Sequence, residues 1–128
     1  MRLIRPSPGE LLDRKTILHL KIQAGRRQRV GVAHFEEELK MIDAALADWF
    51  GKNPGADRRA YEEAARELAE VNRQLWDAED EVRALARNAK DRLAELAKWI
   101  PELNDRRADL VQRVNRLFDV SQTEKLYQ

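Results

Sequence analysis

Apolar residues recur at alternating spacings of three and four along the second half of the chain. One series comprises Tyr61, Ala64, Leu68, Val71, Leu75, Ala78, Val82, Leu85 and Ala89. A second series starts one residue out of step and comprises Leu93, Leu96, Ile100, Leu103, Arg107, Leu110, Val114 and Leu117. This spacing predicts two long helices with coiled-coil-like seams. The slip favours a tight antiparallel turn, with Asn88 ending one helix and Asp91 starting the next. A single bent helix is the alternative.

The first half of the chain predicts two further helices. Ser7-Pro8-Gly9-Glu10 has the form of a capping box, and apolar residues on more than one side of the helix that follows predict a central position for it. Gly31 suits the position just past its end. A second amphipathic helix follows, with apolar positions at Phe35, Leu39, Ile42, Leu46 and Trp49. We therefore expect a single all-α domain over residues 1–128, an elongated bundle of about four helices built from antiparallel helical hairpins, with helices over about 7–28, 32–50, 57–88 and 91–118.

Composition narrows the chemistry that this bundle can perform. The chain has no cysteine, which excludes disulfides, thiolate metal sites and a cysteine nucleophile. Its two histidines are too few for a zinc site unless carboxylates join them, so we expect no metal and no cofactor. Lys plus Arg number 24 and Asp plus Glu number 23, so the net charge is near zero and nucleic-acid binding is disfavoured. No apolar stretch approaches the ~20 residues of a membrane span, and the N-terminal residues do not resemble a signal peptide. A cytoplasmic location is the default expectation.

Polar residues beside the apolar seams are the candidate ligand- or partner-binding residues, because no phosphate-binding glycine loop, nucleophile elbow or His-Glu-x-x-His motif is present. They fall in three segments: Glu10, Asp13 and Lys21; Asn72, Trp76, Glu79 and Asp80; Asn104, Asp105 and Arg107. Arg107 occupies a seam position and so requires an anionic partner. The hairpin predicts Glu79 or Asp80 first and Asp77 next. The cluster is either a structural network that fixes helix register or a recognition site lined by Trp76.

Four segments carry a resemblance to a known family. They are residues 7–21, with Ser7, Gly9, Glu10 and Asp13 in a Ser-x-Gly-Glu-x-x-Asp pattern, and the motifs Leu75-Trp76-Asp77-Ala78-Glu79-Asp80, Asn104-Asp105-Arg106-Arg107-Ala108 and Glu124-Lys125-Leu126-Tyr127. Together they resemble a bacterial domain family of unknown function that is associated by name with lipopolysaccharide or surface-polysaccharide biosynthesis. The resemblance implies a process and no particular reaction.

Three functions are compatible with these observations. The first is a non-catalytic helical accessory or interaction protein, for which the resemblance implies a protein partner in surface-glycan synthesis. The second is a small helical ligand-binding protein or a mutase-like enzyme that uses the cluster Trp76/Glu79/Asp80 and Asn104/Asp105/Arg107. The third is a purely structural coiled-coil dimeriser. A homodimer is expected, because a helix of about 30 residues extends ~45 Å and a chain of this size cannot easily cover it.

Overall fold

The computed structural model describes residues 5–118, and this part of the chain is entirely helical apart from short links. Four helices follow one another: α1 (Pro8–Arg27), α2 (Ala33–Lys52), α3 (Arg58–Ala84) and α4 (Lys90–Leu117). The predicted fold class, an all-α bundle of four helices, is therefore confirmed. Within residues 5–118 none of the helices combines the length and the apolar character that crossing a membrane requires. The predicted Glu124-Lys125-Leu126-Tyr127 motif lies outside the described residues.

Helices α3 and α4 form the antiparallel hairpin that the slip in the apolar series predicted. Arg92 on α4 donates to Glu81 on α3 over 2.7 Å, and the pair Arg113–Glu67 spans the hairpin at its other end, also over 2.7 Å. The alternative of one bent helix is therefore wrong. The turn, however, begins earlier than predicted, because α3 ends at Ala84 rather than near residue 88.

The caps predicted for this turn are also wrong. Leu85 takes an extended conformation and ends α3 as its C-cap, so the chain has already left the helix before it reaches Asn88. Ala89 stands at the N-cap of α4 without a side-chain hydrogen bond, and Asp91 lies inside the first turn of that helix. Asp91 there still places a negative charge near the positive end of the helix dipole.

Helix α1 is central, as its two-sided apolar pattern predicted. The backbone of α1 lies close to the backbones of the other three helices, whereas the backbone of α2 lies close to that of α1 alone. The core joins Leu11, Leu12 and Leu18 of α1 to leucines of both hairpin helices, including Leu68 and Leu103, which are fully buried. The order of layers is thus α2, then α1, then the α3–α4 hairpin, and one face of the hairpin is covered by α1.

The start of α1 is fixed by two contacts of different kinds. Ser7 Oγ accepts a hydrogen bond from the Glu10 backbone N–H at 3.2 Å, so Ser7 is the N-cap as predicted. The Gly9 N–H donates to Asn115 Oδ1 of α4 at 2.7 Å. A Cβ atom on Gly9 would lie 2.2 Å from the carbonyl oxygen of Val111. Only glycine therefore permits this close approach of α1 to α4.

The end of α1 differs from the prediction that placed Gly31 just past it. The residue in the left-handed conformation is Arg29, with φ 56°, and no glycine in the described range has a positive φ. The Arg29 N–H bonds to the carbonyl of Arg26, and the Val30 N–H bonds to the carbonyl of Gly25. This pair of bonds is a Schellman motif with Arg29 at C′, a position where glycine is the common residue.

Candidate functional site

A carboxylate on α1 joins three helices at the centre of the bundle. Asp13 accepts from Arg107 of α4, whose Nε lies 2.9 and 3.1 Å from the two carboxylate oxygens and whose Nη2 lies 2.5 Å from Oδ2. Asp13 Oδ1 also accepts from Asn72 Nδ2 of α3 at 2.8 Å. A forked guanidinium on a carboxylate fixes both distance and angle. This contact therefore sets the register of α1 on the hairpin.

Two buried polar groups complete this arrangement, here named the Asp13 network (Asp13, Thr16, Asn72 and Arg107). Asn72 Nδ2 donates also to Thr16 Oγ1 at 2.6 Å, and Thr16 Oγ1 donates to the backbone carbonyl of Asp13 at 2.7 Å. Thr16 and Asn72 are 8% and 3% exposed. Within residues 5–118 no fully buried side-chain nitrogen or oxygen lacks a partner. The network is closed on itself, as a polar cluster that specifies helix register should be.

The electrostatics of the network favour a permanently charged Arg107. Its hydrogen bonds to Asp13 raise the pKa of Arg107 above the ordinary value, with a smaller contribution from the negative charge of Glu79, while partial burial opposes them. The Asp13 side chain is 13% exposed and that of Arg107 is 35% exposed. The carboxylate is thus the more enclosed partner, and the guanidinium keeps one edge near water.

The prediction that Arg107 pairs with an acid of α3 is wrong, because its partner is Asp13 of α1. Glu79 acts on Arg107 only through its charge. Asp80 pairs instead with Arg83, and Asp77 pairs with Arg73 at 2.7 Å. The prediction considered the two hairpin helices alone, whereas α1 crosses the hairpin at the level of Arg107 and supplies the carboxylate there.

The remaining candidate residues do not join the network. Trp76 is partly buried on α3, and Lys21 places its ammonium 5.5 Å from the ring centroid of Phe35. The other three are exposed: Glu10 at the start of α1, and Asn104 and Asp105 on α4. The predicted cluster of Trp76/Glu79/Asp80 with Asn104/Asp105/Arg107 is therefore not assembled. Thr16 was missed, although its position three residues after Asp13 places both on neighbouring parts of one helix face.

A second surface lies on the side of the hairpin turned away from α1. Asn72 and Arg107 contact α1. Residues of α3 about half a turn from Asn72, and residues of α4 about a quarter to a third of a turn from Arg107, line an open groove between α3 and α4, here named the outer groove. Its floor is apolar and includes Val71, Leu96 and Leu110. The polar residues on its α3 side are Arg66, Glu67, Glu70, Arg73, Gln74, Asp77 and Glu81, and the other residues on its α4 side are Arg92, Trp99, Arg106, Asp109 and Arg113. Each side therefore carries both acidic and basic residues. This surface was not predicted from the sequence.

Trp99 is the most conspicuous residue of the outer groove. It is 37% exposed, whereas Trp49 of the core is 5% exposed. The Arg106 guanidinium lies 5.8 Å from the centroid of its ring, within the range of a cation–π contact. An exposed indole beside an arginine is a composition enriched at protein interfaces.

No protein-family model, curated protein or solved structure matches this chain. Within residues 5–118 no group of three or more His, Asp or Glu side chains is arranged to hold a metal ion. The resemblance to a family associated with lipopolysaccharide biosynthesis therefore stays a prediction, and the function has to be argued from the Asp13 network and the outer groove.

Proposed function

We propose that this chain is a helical accessory protein that acts by binding another protein chain through the outer groove. The observation that carries the proposal is the groove itself, which combines an apolar floor, an exposed Trp99 and charged residues of both signs along its two sides. Helix α1 covers the other face of the hairpin, and no helix among residues 5–118 packs on this one. A helix of a partner would find there the kind of surface on which helical bundles are built.

The Asp13 network supports a binding role over a catalytic one. Its polar groups satisfy one another across α1, α3 and α4, so the motif residues Asp13, Asn72 and Arg107 have a structural task that requires no ligand. A rigid scaffold of this kind presents a surface with little conformational entropy to lose on binding. The network thus holds the hairpin in place, and the hairpin carries the binding surface.

The proposed process is lipopolysaccharide or surface-polysaccharide biosynthesis, and the proposed location is the cytoplasm. Both are carried over from the sequence. The process rests on the resemblance of the motifs around Ser7, Leu75 and Asn104 to the family associated with it, and the cytoplasm is the default expectation. The partner would then be another component of the glycan-synthesis machinery.

Complementation of a deletion strain tests this proposal. We expect loss of the gene to alter the surface-polysaccharide pattern on a gel, and the wild-type gene to restore it. Arg106→Glu, in the outer groove, should fail to restore the pattern at normal protein abundance, and Arg107→Lys, in the network, should restore it. An unaltered pattern in the deletion strain would reject the process. The converse behaviour of the two variants would favour a ligand site or enzyme at Arg107.

A further inference from the structure

Contacts between the helices fix the direction of α1 relative to the hairpin. Gly9 of α1 contacts Asn115 of α4, and Asp13, one turn further along α1, contacts Arg107, which precedes Asn115 in α4. Helix α1 therefore runs antiparallel to α4 and parallel to α3. At 1.5 Å per residue, α1 continues for ~21 Å beyond Asp13, and α3 continues for ~18 Å beyond Asn72, which also contacts Asp13. The last turns of α1 and α3 thus lie at the same end of the bundle.

This end of the bundle, here named the basic end, consists of two segments. Residues 26–34 lead from the end of α1 into α2, and residues 82–91 lead from the end of α3 into α4. Together they contain one acid, Asp91, and six cations, and all seven of these residues are exposed; the cations are Arg26, Arg27, Arg29, Arg83, Arg87 and Lys90. Six cations and one acid give the basic end a net charge of +5, whereas the whole chain has a net charge of +1. The rest of the chain is therefore net negative, and positive charge is concentrated at one end.

Ion pairs within the chain leave most of this positive charge free. Arg26 pairs with Glu36 at 3.3 Å, and Arg83 pairs with Asp80. The neighbouring acid Glu81 is paired in turn with Arg92, outside the basic end. Four cations of the basic end take part in no ion pair within residues 5–118, and they are Arg27, Arg29, Arg87 and Lys90. Against these four stands a single free acid, Asp91.

Helix stability does not account for this set of free cations. A helix is stabilised by cations near its C-terminal end, as in the last turns of α1 and α3, and is destabilised by a cation near its N-terminal end. Arg29 and Arg87 lie past the ends of α1 and α3, and Lys90 is the first residue of α4. The helix dipoles thus give no reason for a cation at these three positions.

Exposed aliphatic side chains lie among these cations. Val30 follows Arg29 and is 58% exposed, and Val82 precedes Arg83 and is 39% exposed. They are two of the four large apolar side chains that are exposed within residues 5–118. At an anionic bilayer, basic side chains are attracted to the lipid phosphates, and apolar side chains enter the boundary between head groups and acyl chains. We propose that the basic end docks this protein on the surface of a membrane that contains anionic lipids.

The composition of the basic end favours a bilayer over a nucleic acid. Proteins that bind single-stranded nucleic acids combine cations with aromatic side chains on which bases stack. Neither segment of the basic end contains Phe, Trp or Tyr, and its exposed apolar residues are valines. A net charge of +1 for the whole chain is also small for a nucleic-acid-binding protein. Aliphatic side chains beside arginines are instead suited to an interface with lipid.

Co-sedimentation with vesicles tests the inference. Wild-type protein should bind vesicles of phosphatidylcholine and phosphatidylglycerol in equal amounts, should not bind vesicles of phosphatidylcholine alone, and should bind more weakly as salt is added. The double variant Arg27→Glu/Arg87→Glu, with one substitution in each segment, should bind at least ~25-fold more weakly, because each cation near an anionic membrane surface contributes about fivefold. The matched control is Arg59→Glu/Arg116→Glu, which changes the net charge equally at exposed arginines near the start of α3 and the end of α4. The control should retain most of the binding, and circular dichroism should show that both variants are folded.

Two single variants separate the parts of the surface. Val30→Ser should weaken binding to the anionic vesicles and leave its dependence on salt unchanged, because it removes apolar contact and no charge. Arg106→Glu, in the outer groove, should bind the vesicles as the wild type does, since the basic end and the groove are separate surfaces. Vesicle binding therefore tests the basic end alone, whereas the complementation experiment tests the groove.

Three results would overturn the inference. The first is a wild-type protein that binds the anionic vesicles no better than vesicles of phosphatidylcholine alone. The second is an equal loss of binding in Arg27→Glu/Arg87→Glu and in the control, since net charge and not the basic end would then govern binding. The third is a wild-type protein that binds a DNA duplex at the same ionic strength and does not bind the vesicles, which would make the basic end a nucleic-acid site. An unchanged affinity of Val30→Ser would overturn the part assigned to the aliphatic side chains.

Discussion

The substitution Arg107→Leu should destabilise the protein by removing the ion pair with Asp13, although leucine is the residue type that the apolar seam favours at this position. Asp13 would keep Asn72 as a donor but lose the guanidinium, and its side chain is only 13% exposed, so water cannot fully replace the lost charge. Breaking a buried ion pair costs ~3–5 kcal/mol, and a leucine in this partly exposed position returns less than the ~1.5–3 kcal/mol of a fully buried one. We expect a net loss on the order of 2 kcal/mol in the free energy of unfolding.

A double-mutant cycle isolates the contact between Asp13 and Arg107. Asp13→Leu leaves an arginine that is 35% exposed and can turn toward water, but it removes one of the two acceptors of buried Asn72, a loss of ~1–3 kcal/mol. The double variant strands neither charge. It should therefore be more stable than the sum of the single losses predicts, with a coupling energy of ~1–3 kcal/mol.

Urea denaturation followed by circular dichroism measures these differences, at low micromolar concentration so that self-association does not contribute. Arg113→Leu is the matched control, because Arg113 and its partner Glu67 are both more than half exposed. Its effect should stay within about 0.5 kcal/mol, as for most surface substitutions. An Arg107→Leu variant as stable as the wild type, or a coupling energy near zero, would refute the structural role of the network.

Three further predictions concern single residues. Gly9→Ala should lower the free energy of unfolding by at least ~1–3 kcal/mol, because the added methyl group clashes with α4. Gly51→Ala, on α2 with open space around it, should raise the free energy of unfolding by up to ~1 kcal/mol. Equal effects of the two substitutions would contradict the close approach of α1 to α4 at Gly9. Arg29→Gly should gain up to ~1 kcal/mol by relieving a left-handed backbone, and a measured loss would contradict that conformation. Burial raises the pKa of the Tyr61 hydroxyl to about 12. The contribution of the protonated side chain to the free energy of unfolding is therefore fully present below ~pH 10 and is lost as the pH rises through about 12. Phenolate absorbance should follow that shift, and Tyr61→Phe should lack this part of the pH dependence; phenolate formation near its ordinary pKa would contradict it.

The helices and the hairpin were predictable because their signal is local. Alternating spacings of three and four place apolar residues on one helix face whatever the helix packs against, and the slip by one residue marks a break in that face. The partner of Arg107 was not predictable in the same way. Asp13 was among the candidate residues. Its carboxylate reaches Arg107 because α1 crosses the hairpin at that level, and no residue spacing within α3 and α4 encodes this crossing.

The ends of the helices were harder to predict than their presence. Ser7 capped α1 as predicted, because a serine followed by proline and glutamate has one plausible task. At the other end of α1 the left-handed position falls on Arg29, two residues before the glycine that suits such a position. Asn88 and Asp91 likewise have the right chemistry for caps but are not where α3 ends and α4 begins. Cap preferences amount to ~1 kcal/mol, which packing of the neighbouring helices can outweigh.

Arg106 and Arg107 are adjacent in sequence, yet the structure gives them separate tasks. Successive residues of an α-helix point ~100° apart, so Arg107 enters the Asp13 network while Arg106 lies in the outer groove. Replacement by glutamine should separate the two. Arg107→Gln should lower the free energy of unfolding, measured in urea, and still restore the surface-polysaccharide pattern when its abundance matches that of the wild type. Arg106→Gln should leave the unfolding free energy within about 0.5 kcal/mol of the wild type, as expected for an exposed residue, and restore the pattern poorly. If Arg106→Gln were as destabilising as Arg107→Gln, or if Arg107→Gln failed to restore the pattern in a protein of undiminished stability, the division between a structural face and a binding face of α4 would be wrong.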